Sequence, residues 1–370
     1  MSRKRKIGFV FGTRPEIIKL YPVYKALMVD YECILISTGQ QKQLSRQMLD
    51  FFEITPDYDL DVMKENQTLS SLSSKIINEL ESIFSRITLD GIIVQGDTNS
   101  AFCGALSGFY NEIPVIHIEA GLRSFDLKSP FPEEANRLMI SAISTIDFAP
   151  TEHALRNLLS QKKENTYNVG NTVVDALSLI RNIINDNKTH YKNKFSHIQL
   201  NRLVLITIHR RELKRVNLIE ILEAIKELAL KNNDISFAFP VHFTPKVRKD
   251  VIRVLDGLSN VYLTEPLPYD EMIFLMMESA LIMTDSGGIQ EEAPAFKKPV
   301  IVLRNKTERQ EGIDEGIAFL AGYEKQQIIK YFESLIDNRS TVFQKRKFKN
   351  PYGDGKASER IKKVIDDFFI

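Results

Sequence analysis

The sequence contains no tryptophan, only two cysteines, and no apolar run long enough to cross a membrane. Both cysteines, Cys33 and Cys103, lie in apolar segments, where a reducing compartment would keep them as buried free thiols. No apolar segment precedes the first predicted strand, so the pattern of a secretory signal is missing. These absences predict a cytoplasmic protein without a membrane partner, without disulfides and without a Cys/His metal site.

An excess of charge of one sign is also missing. The 370 residues include 49 Lys and Arg against 48 Asp and Glu, a formal net charge of +1. Nucleic-acid-binding proteins usually carry a basic excess, so we expect no nucleic-acid partner. The chain is too long for one ordinary hydrophobic core, which predicts two domains.

Short apolar runs alternate with helical patterns along most of the chain. In the first half they lie at 6–11, 33–38, 91–96, 114–120, 146–151 and 166–170. In the second half they lie at 202–209, 235–242, 260–266, 281–287 and 299–304. Continuous β-branched runs of this kind are typical of parallel strands buried on both faces. The sequence therefore predicts an α/β fold with two Rossmann-like, doubly wound domains that face a cleft.

The polar segment 180–200 lacks a strong period, and we interpret it as a linker. The predicted domains are 1–175 and 176–355, and the final helical pattern at 356–370 could pack on either of them. Ligands of such folds bind at the C-terminal ends of the strands. The sequence contains no Gly-x-Gly-x-x-Gly, so we expect no dinucleotide cofactor.

A glycine-rich turn follows the predicted strand that ends near residue 285. Ser286, Gly287 and Gly288 then open a helix, an arrangement whose N–H groups suit a phosphate. Glu292 lies one turn later, about 5 Å along the helix, which is close to the distance between a diphosphate and its ribose. A carboxylate there can accept hydrogen bonds from two sugar hydroxyls. An ordinary glycine turn with acids near a helix start explains the stretch equally well.

A second polar cluster follows the first predicted strand. Thr13 and Glu16 have the spacing of a capping box, and Pro15 suits the first turn of a helix. Arg14 is then well placed for a second anionic contact. Considered alone, Lys19 is explained better as surface charge.

Three carboxylates follow predicted strands in the first half. Asp97 follows the run 91–96, Glu119 follows the apolar residues PVIHI (114–118), and Glu133 lies in a long proline-containing loop. Grouped carboxylates repel one another, so at least one pKa is expected to rise, which suits acid–base catalysis. Single acids after strands are more often turn residues, but three together favour a function.

Histidines end two strands of the second half. His209 could donate to a phosphate or transfer a proton, and Arg210 and Arg211 follow it directly. His242 has the same position after a later strand, with a structural role more plausible. His117 alternates inward within its strand and is interpreted as a core residue.

With these motifs in view, the sequence closely resembles the non-hydrolysing UDP-N-acetylglucosamine 2-epimerases. The matching stretches follow in order along nearly the whole chain: FGTRPEIIKLYPV, QGDTNS, HIEAGLRSFDLKSPFPEEANR, VGNTVVDAL, HRRE, MTDSGGIQEEAPAFKKPV, RNKTERQE and NPYGDGKASERI. The resemblance implies a GT-B-type pair of Rossmann domains, a homodimer, no cofactor and no metal. It also implies that the last helix crosses back to the first domain.

Carried over by motif, the resemblance implies a binding set for a UDP-N-acetylhexosamine. UDP would be held by Arg14, Lys19, His209, Ser286, Gly287, Gly288, Glu292 and Arg309, with Met272 lining the uracil pocket. The catalytic carboxylates would be Asp97, Glu119 and Glu133, and His209 is our fourth catalytic candidate. Arg309 and Met272 come only from the resemblance.

Relatives of this family often use a second substrate molecule as an activator. In this sequence Gln41 replaces a histidine that is common in the corresponding loop, and Asn66 replaces a basic residue. Gln40 and Gln43 are the remaining candidates for such an allosteric site, and we predict weak or absent activation.

Three alternatives stay open at this point. The hydrolysing epimerases are the nearest, although their first loop usually lacks the PEIIK found here. A sugar-nucleotide glycosyltransferase shares the fold and the UDP site. A UDP-sugar-binding regulator would lack the need for three carboxylates.

Overall fold

The computed structural model describes residues 3–64, 67–209, 213–242, 244–337 and 348–369. The chain folds into two compact units. Unit 1 comprises Met1–Ala176 and Tyr352–Ile370, and unit 2 comprises Leu177–Pro351.

Unit 1 is built on a parallel sheet with the strand order β3-β2-β1-β4-β5-β6-β7. Its strands are β1 (Lys6–Phe11), β2 (Glu32–Ser37), β3 (Tyr58–Asp59), β4 (Gly91–Gln95), β5 (Val115–Ile118), β6 (Ile146–Ala149) and β7 (Thr166–Asn168). The helices are α1 (Arg14–Leu27), α2 (Lys42–Phe51), α3 (Leu69–Phe84), α4 (Asn99–Tyr110), α5 (Glu133–Ile143), α6 (Glu152–Ser160) and α7 (Thr172–Asp186). The strand order reverses between β1 and β4, the position where doubly wound sheets bind ligands.

Unit 2 has a second parallel sheet, with the order β10-β9-β8-β11-β12-β13. Its strands are β8 (Leu203–Thr207), β9 (Ser236–Pro240), β10 (Val261–Thr264), β11 (Ser279–Thr284), β12 (Val300–Val302) and β13 (Ala318–Leu320). Its helices are α8 (Lys188–Lys194), α9 (Arg215–Lys231), α10 (Pro245–Leu255), α11 (Tyr269–Glu278), α12 (Gly287–Glu292), α13 (Gln310–Asp314) and α14 (Lys325–Ile336), with 3₁₀ turns at Leu200–Arg202 and Ala293–Phe296. The predicted α/β class with two doubly wound sheets is therefore confirmed.

The central strands are buried because their apolar residues run without alternation. Every residue of β4, β5, β8 and β11 is buried. This is the pattern of a sheet covered by helices on both faces. Polar residues begin where these strands end, so the fold concentrates them at the C-terminal edge of each sheet.

The prediction of a linker at 180–200 is wrong. Helix α7 continues to Asp186, and α8 follows almost at once. Tyr191 and Phe195 of this region stack on Phe274, with ring centroids 5.3 and 5.8 Å apart. The aromatic residues of this segment are few among many polar ones, so the helical periodicity of the sequence is weak. They are nevertheless enough to pack the segment against the rest of unit 2.

Two short strands were not predicted. The two-residue β3 pairs with β2, and the three-residue β13 pairs with β12, each at an edge of its sheet. Strands this short carry too little pattern to be recognised in sequence, since their pairing is defined by backbone hydrogen bonds.

The last helix, α15 (Ala357–Phe368), belongs to unit 1. Tyr31 donates a hydrogen bond to Asp366 at 2.8 Å, and the Lys362 ammonium lies 2.7 Å from Asp30. Asp175 accepts from the first backbone N–H groups of the helix, at 3.2 Å from Ala357 N. Unit 1 is thus made from two separate parts of the chain.

Two further features concern membrane-spanning helices and the cysteines. No helix within the described ranges is long and apolar enough to cross a membrane. Both cysteines are free thiols, but only Cys103 is buried, whereas Cys33, near the N-terminal end of β2, is half-buried.

Candidate active site

The C-terminal edge of the unit 1 sheet brings three polar segments together. Strands β1, β4 and β5 are neighbours, and Gln95 at the end of β4 pairs with Ile118 at the end of β5. Glu119 follows β5 directly, Asp97 follows β4 after one glycine, and Arg14 begins α1 just after β1. The topology thus places two of the three predicted carboxylates after adjacent strand ends.

Asp97 is held by helix α5. The Arg137 Nε donates to its Oδ2 at 2.7 Å, and the Asn136 amide donates to its backbone carbonyl at 2.9 Å. The preceding residue, Gly96, has a φ of +70°, which lets the chain turn sharply out of β4. Asp97 is therefore oriented from both its backbone and its side chain.

Glu119 has the strained backbone that often marks functional sites. Its φ is +64°, a left-handed conformation that costs a non-glycine residue about 1–3 kcal/mol. Its carboxylate forms an ion pair with Lys19 and accepts a hydrogen bond from Gln95 Nε2 at 2.5 Å. The family resemblance implies that Lys19 binds UDP. In this structure Lys19 contacts a catalytic candidate, Glu119.

Glu133 is the first residue of α5, so it shares a helix with the residues that hold Asp97. Its Oε2 is buried and has no hydrogen-bond partner among the described residues. The adjacent Glu134 accepts from the N–H groups of Ser124 and Phe125 and from Arg137. Burial acts to raise the pKa of Glu134, but these donors lower it, and the ionised carboxylate fastens the loop before α5.

Cations at this edge of the sheet offset the repulsion expected between the grouped carboxylates. Arg137 neutralises Asp97, and Lys19 neutralises Glu119. Arg137 was missed, although its position four residues after Glu133 places both on one helix face. Within the described residues, no group of three or more His, Cys, Asp or Glu side chains is arranged to hold a metal ion.

Glu16 links the loops after β1 and β4. Its Oε2 accepts from the N–H groups of Gly12 and Thr13 at 3.0 and 2.7 Å, and its Oε1 accepts from the Thr98 hydroxyl at 2.7 Å. The capping residue of the sequence analysis is thus also a bridge to the residue after Asp97. Burial raises the pKa of Glu16 from 4.5 to about 7, although hydrogen bonds from Thr98, Thr13 and Gly12 oppose this rise.

This pKa shift predicts a pH-dependent stability. The folded state holds the Glu16 proton more tightly than the unfolded chain, so the contribution favours folding at low pH. It is lost as the pH rises from 4.5 through about 7. Between about pH 5.5 and about pH 8, the wild type should lose about 2 kcal/mol of unfolding free energy relative to Glu16→Gln.

Urea unfolding of both proteins across this pH range measures the difference. Glu81→Gln, at an exposed position on α3, is the matched control and should give a constant offset from the wild type. A constant offset for Glu16→Gln as well would show that its carboxyl does not titrate in this range.

In unit 2, the strands β8 and β11 are neighbours, and their ends are followed by His209 and Asp285, respectively. Asp285 is almost fully buried and accepts from the His209 backbone N–H at 3.1 and 3.0 Å. The His209 Nδ1 lies 3.1 Å from the same carboxylate, which favours the tautomer with a proton on Nδ1. Asp285 was missed in the sequence. Arg210 and Arg211 lie outside the described residues.

The glycine turn supports an arginine. Ser286 caps the short helix α12, and a Cβ added to Gly287 would lie 3.3 Å from the Arg309 guanidinium carbon. Glycine therefore permits Arg309 to pack closely against the turn. Arg309 donates to Glu291 at 2.8 Å and lies 2.7 Å from Glu308. Burial opposes ionisation, but Arg309 and Arg304 hold the pKa of Glu308 down to about 2.

The two acids after the glycine turn have separate partners. Glu291 binds Arg309, whereas Glu292 accepts a hydrogen bond from the Tyr269 hydroxyl at 2.8 Å. Met272 is half-buried three residues after Tyr269 on the same face of α11. The space beside Gly288 is open, because an added Cβ would meet only Ser286 Oγ, at 3.9 Å.

Gln40 and Gln43, the residues considered for binding a second substrate molecule, lie in different environments. The Gln40 Oε1 accepts from the Ser100 backbone N–H at 3.2 Å and from its hydroxyl at 2.7 Å, so this oxygen is already engaged. Gln43 is exposed on α2. Asn66 lies outside the described residues.

Two doubly wound α/β units, with polar residues collected at the strand ends, define a protein with the GT-B type of fold. The family model for UDP-N-acetylglucosamine 2-epimerase matches residues 26–366. The chain belongs to this family.

Individual relatives match over almost their full length. A UDP-N-acetylglucosamine 2-epimerase of Campylobacter jejuni is 41% identical over 98% of this chain and 97% of its own. The crystal structure of the Neisseria meningitidis enzyme bound to UDP-GlcNAc has a TM-score of 0.90 at 41% identity, covering 98% of this chain and 100% of that one. A Staphylococcus aureus protein in complex with UDP has a TM-score of 0.86 at 40% identity, covering 99% and 97%.

Proposed function

We propose that the protein is a non-hydrolysing epimerase that interconverts UDP-N-acetylglucosamine and UDP-N-acetylmannosamine without a cofactor. The observation that carries this proposal is the carboxylate set of unit 1. Asp97 and Glu119 follow adjacent strands, and Glu133 begins the helix that binds Asp97. The family membership and the UDP-GlcNAc complex of the Neisseria meningitidis relative support the substrate.

The chemistry explains why several carboxylates and cations are needed. The C2–H of the sugar is very weakly acidic, because no carbonyl group is adjacent to it. If the C1–O bond to UDP breaks first, C1 becomes oxocarbenium-like and the C2 proton becomes acidic. A carboxylate removes this proton to give 2-acetamidoglucal and UDP. Re-addition forms the C1–O bond again and delivers a proton to the opposite face of C2.

The departing diphosphate requires positive charge and N–H donors. We assign UDP binding to Arg14, Lys19, His209, Ser286, Gly287, Gly288, Met272, Glu292 and Arg309. Support comes from the open space beside Gly288 and from the closely packed Arg309. The ion pair of Lys19 with Glu119 would let one lysine neutralise both a carboxylate and, during bond breaking, a phosphate oxygen.

Incubation with UDP-N-acetylglucosamine alone, in heavy water, tests the proposal. We expect UDP-N-acetylmannosamine that carries deuterium at C2. Product without deuterium would contradict elimination and re-addition. Accumulation of free N-acetylmannosamine with UDP would instead indicate the hydrolysing type, and absence of any product would favour a glycosyltransferase or a binding protein.

Glu292→Gln should weaken binding of UDP more than binding of inorganic pyrophosphate. The reason is that Glu292 would contact the ribose, whereas the glycine turn would contact the phosphates. Loss of a hydrogen bond to a charged group costs about 1.5–3 kcal/mol, or roughly 10–100-fold in UDP affinity. Calorimetry with both ligands measures the difference, with Glu315→Gln at an exposed site as the control. Equal weakening of both ligands would assign Glu292 a structural role on α12.

We also propose that the protein is a homodimer, as the family resemblance implies. Apolar side chains that remain exposed on α4 and α5 of unit 1 support it: Phe109, Tyr110, Leu138 and Met139. Sedimentation equilibrium should therefore give twice the chain mass, and substitution of Phe109 and Tyr110 by serine should shift the protein toward the monomer. A wild-type protein that sediments as a monomer would contradict the proposal.

A further inference from the structure

One buried histidine in unit 1 touches the segment that carries a catalytic candidate. His117 lies in β5, two residues before Glu119, and is fully buried. Its Nε2 is 2.8 Å from the backbone carbonyl oxygen of Gly96, the residue before Asp97. A carbonyl oxygen only accepts, so this nitrogen carries a proton and donates.

The other side of the ring faces a buried carboxylate. The His117 Nδ1 is 3.4 Å from Asp147 Oδ1, and Asp147 is fully buried in the neighbouring strand β6. The Ser144 hydroxyl lies 2.9 Å from both Asp147 oxygens, and the Lys163 ammonium lies 3.3 Å from Oδ2. These residues form a polar network across β6, β5 and the end of β4, in which Lys163 balances the negative charge of Asp147.

This polar network is energetically costly to place in the core of a sheet. Buried charges and polar groups lose their hydration, and apolar side chains of similar size would pack there without this loss. Neighbouring positions on the same strands are apolar, among them Ile116, Ile118 and Phe148. At the β4 end of this polar network, His117 Nε2 donates to the Gly96 carbonyl. Gly96 has a φ of +70° and lies just before Asp97.

We propose that His117 is a positioning residue that fixes Asp97 and Glu119 relative to each other. It holds the Gly96 turn through Nε2, and it is anchored two residues before Glu119 on the same strand. Asp147 lies on the other side of the ring, 3.4 Å from Nδ1. This inference rests on the proposed epimerase function, since it assigns the two carboxylates a common reaction.

Two substitutions separate the two ends of the imidazole. In His117→Gln, the amide Nε2 can occupy the place of the imidazole Nε2 and still donate to Gly96. In His117→Asn, the shorter amide reaches only toward Asp147 and leaves the Gly96 carbonyl without its donor. Both variants keep a buried polar side chain, so they differ mainly in the contact that the proposal requires.

The turnover number, KM and UDP affinity are measured for both variants and the wild type. We expect His117→Asn to lower kcat by about 10²-fold, the cost of a misplacement near 1 Å, with KM and UDP affinity little changed. His117→Gln should recover most of the lost kcat. A kcat near the wild-type value in folded His117→Asn would overturn the proposal, and so would a parallel loss of UDP affinity.

If His117→Asn does not fold, His117→Gln alone decides the question. It should be folded and active, and an inactive or unfolded His117→Gln overturns the proposal. Failure of the proposed function is recognised separately, because the wild type itself would then form no manno isomer.

Discussion

Asp97→Asn, Glu119→Gln and Glu133→Gln should each lower kcat by about 10²–10⁴-fold while leaving UDP affinity unchanged. This is the usual cost of losing one general acid or base. The carboxylates would act on the sugar ring, whereas most of the nucleotide contacts are assigned to unit 2. Each change also keeps the size of the side chain, so packing around it is preserved.

The structure lets these variants be compared with one another. Glu119→Gln leaves the Lys19 ammonium without its anionic partner, and Asp97→Asn does the same to Arg137. Glu133 has a buried oxygen without a hydrogen-bond partner in the described part of the chain, so its loss disturbs no observed contact of that atom. Glu133→Gln is therefore the cleanest test of a chemical role.

Kinetics and UDP calorimetry on the same preparations measure both quantities. Glu79→Gln, exposed on α3, is the matched control and should behave as the wild type. Any of the three variants that turns over at the wild-type rate removes its residue from the catalytic set.

Asp285→Asn should lower kcat by about 10²–10³-fold through its effect on His209. Asp285 binds the His209 backbone N–H and lies 3.1 Å from Nδ1, so it sets both the position and the tautomer of the ring. An asparagine can present an N–H to Nδ1 and reverse the tautomer. The expected loss lies within the range for removal of a general acid or base.

A double-mutant cycle with His209→Asn distinguishes this role from general damage to β11. If Asp285 acts through His209, the double variant should be no slower than His209→Asn alone, since the two effects share one pathway. Additive losses would instead indicate that Asp285 acts independently of the histidine.

The positions of several candidate site residues follow from the sequence because the apolar runs end sharply. Asp97, Glu119 and His209 each stand at the point where a continuous buried run gives way to polar residues. Parallel strands end at a common edge, so the approximate location of these side chains could be predicted from the order of the runs alone. The helix start at Arg14 could be predicted as well, from its capping spacing and proline.

The partners of these residues could not be predicted in the same way. Arg137 contacts Asp97 from forty positions away, and Lys19 contacts Glu119 from a hundred. Such contacts depend on how helices cover the sheet, which no local pattern records. The contact of Asp285 with His209 could not be predicted for another reason. An acidic residue between a strand and a glycine turn resembles an ordinary turn residue.

The composition of unit 1 from two parts of the chain sets an order of events during translation. Unit 2 is one continuous stretch, Leu177–Pro351, and is complete before α15 has been synthesised. Most of unit 1 is synthesised before unit 2, yet its helix α1 packs against Ala357–Phe368, which is synthesised only after unit 2. The domain that is synthesised first is therefore the last to be finished, and until then the nascent chain carries an uncovered helix face that chaperones can recognise.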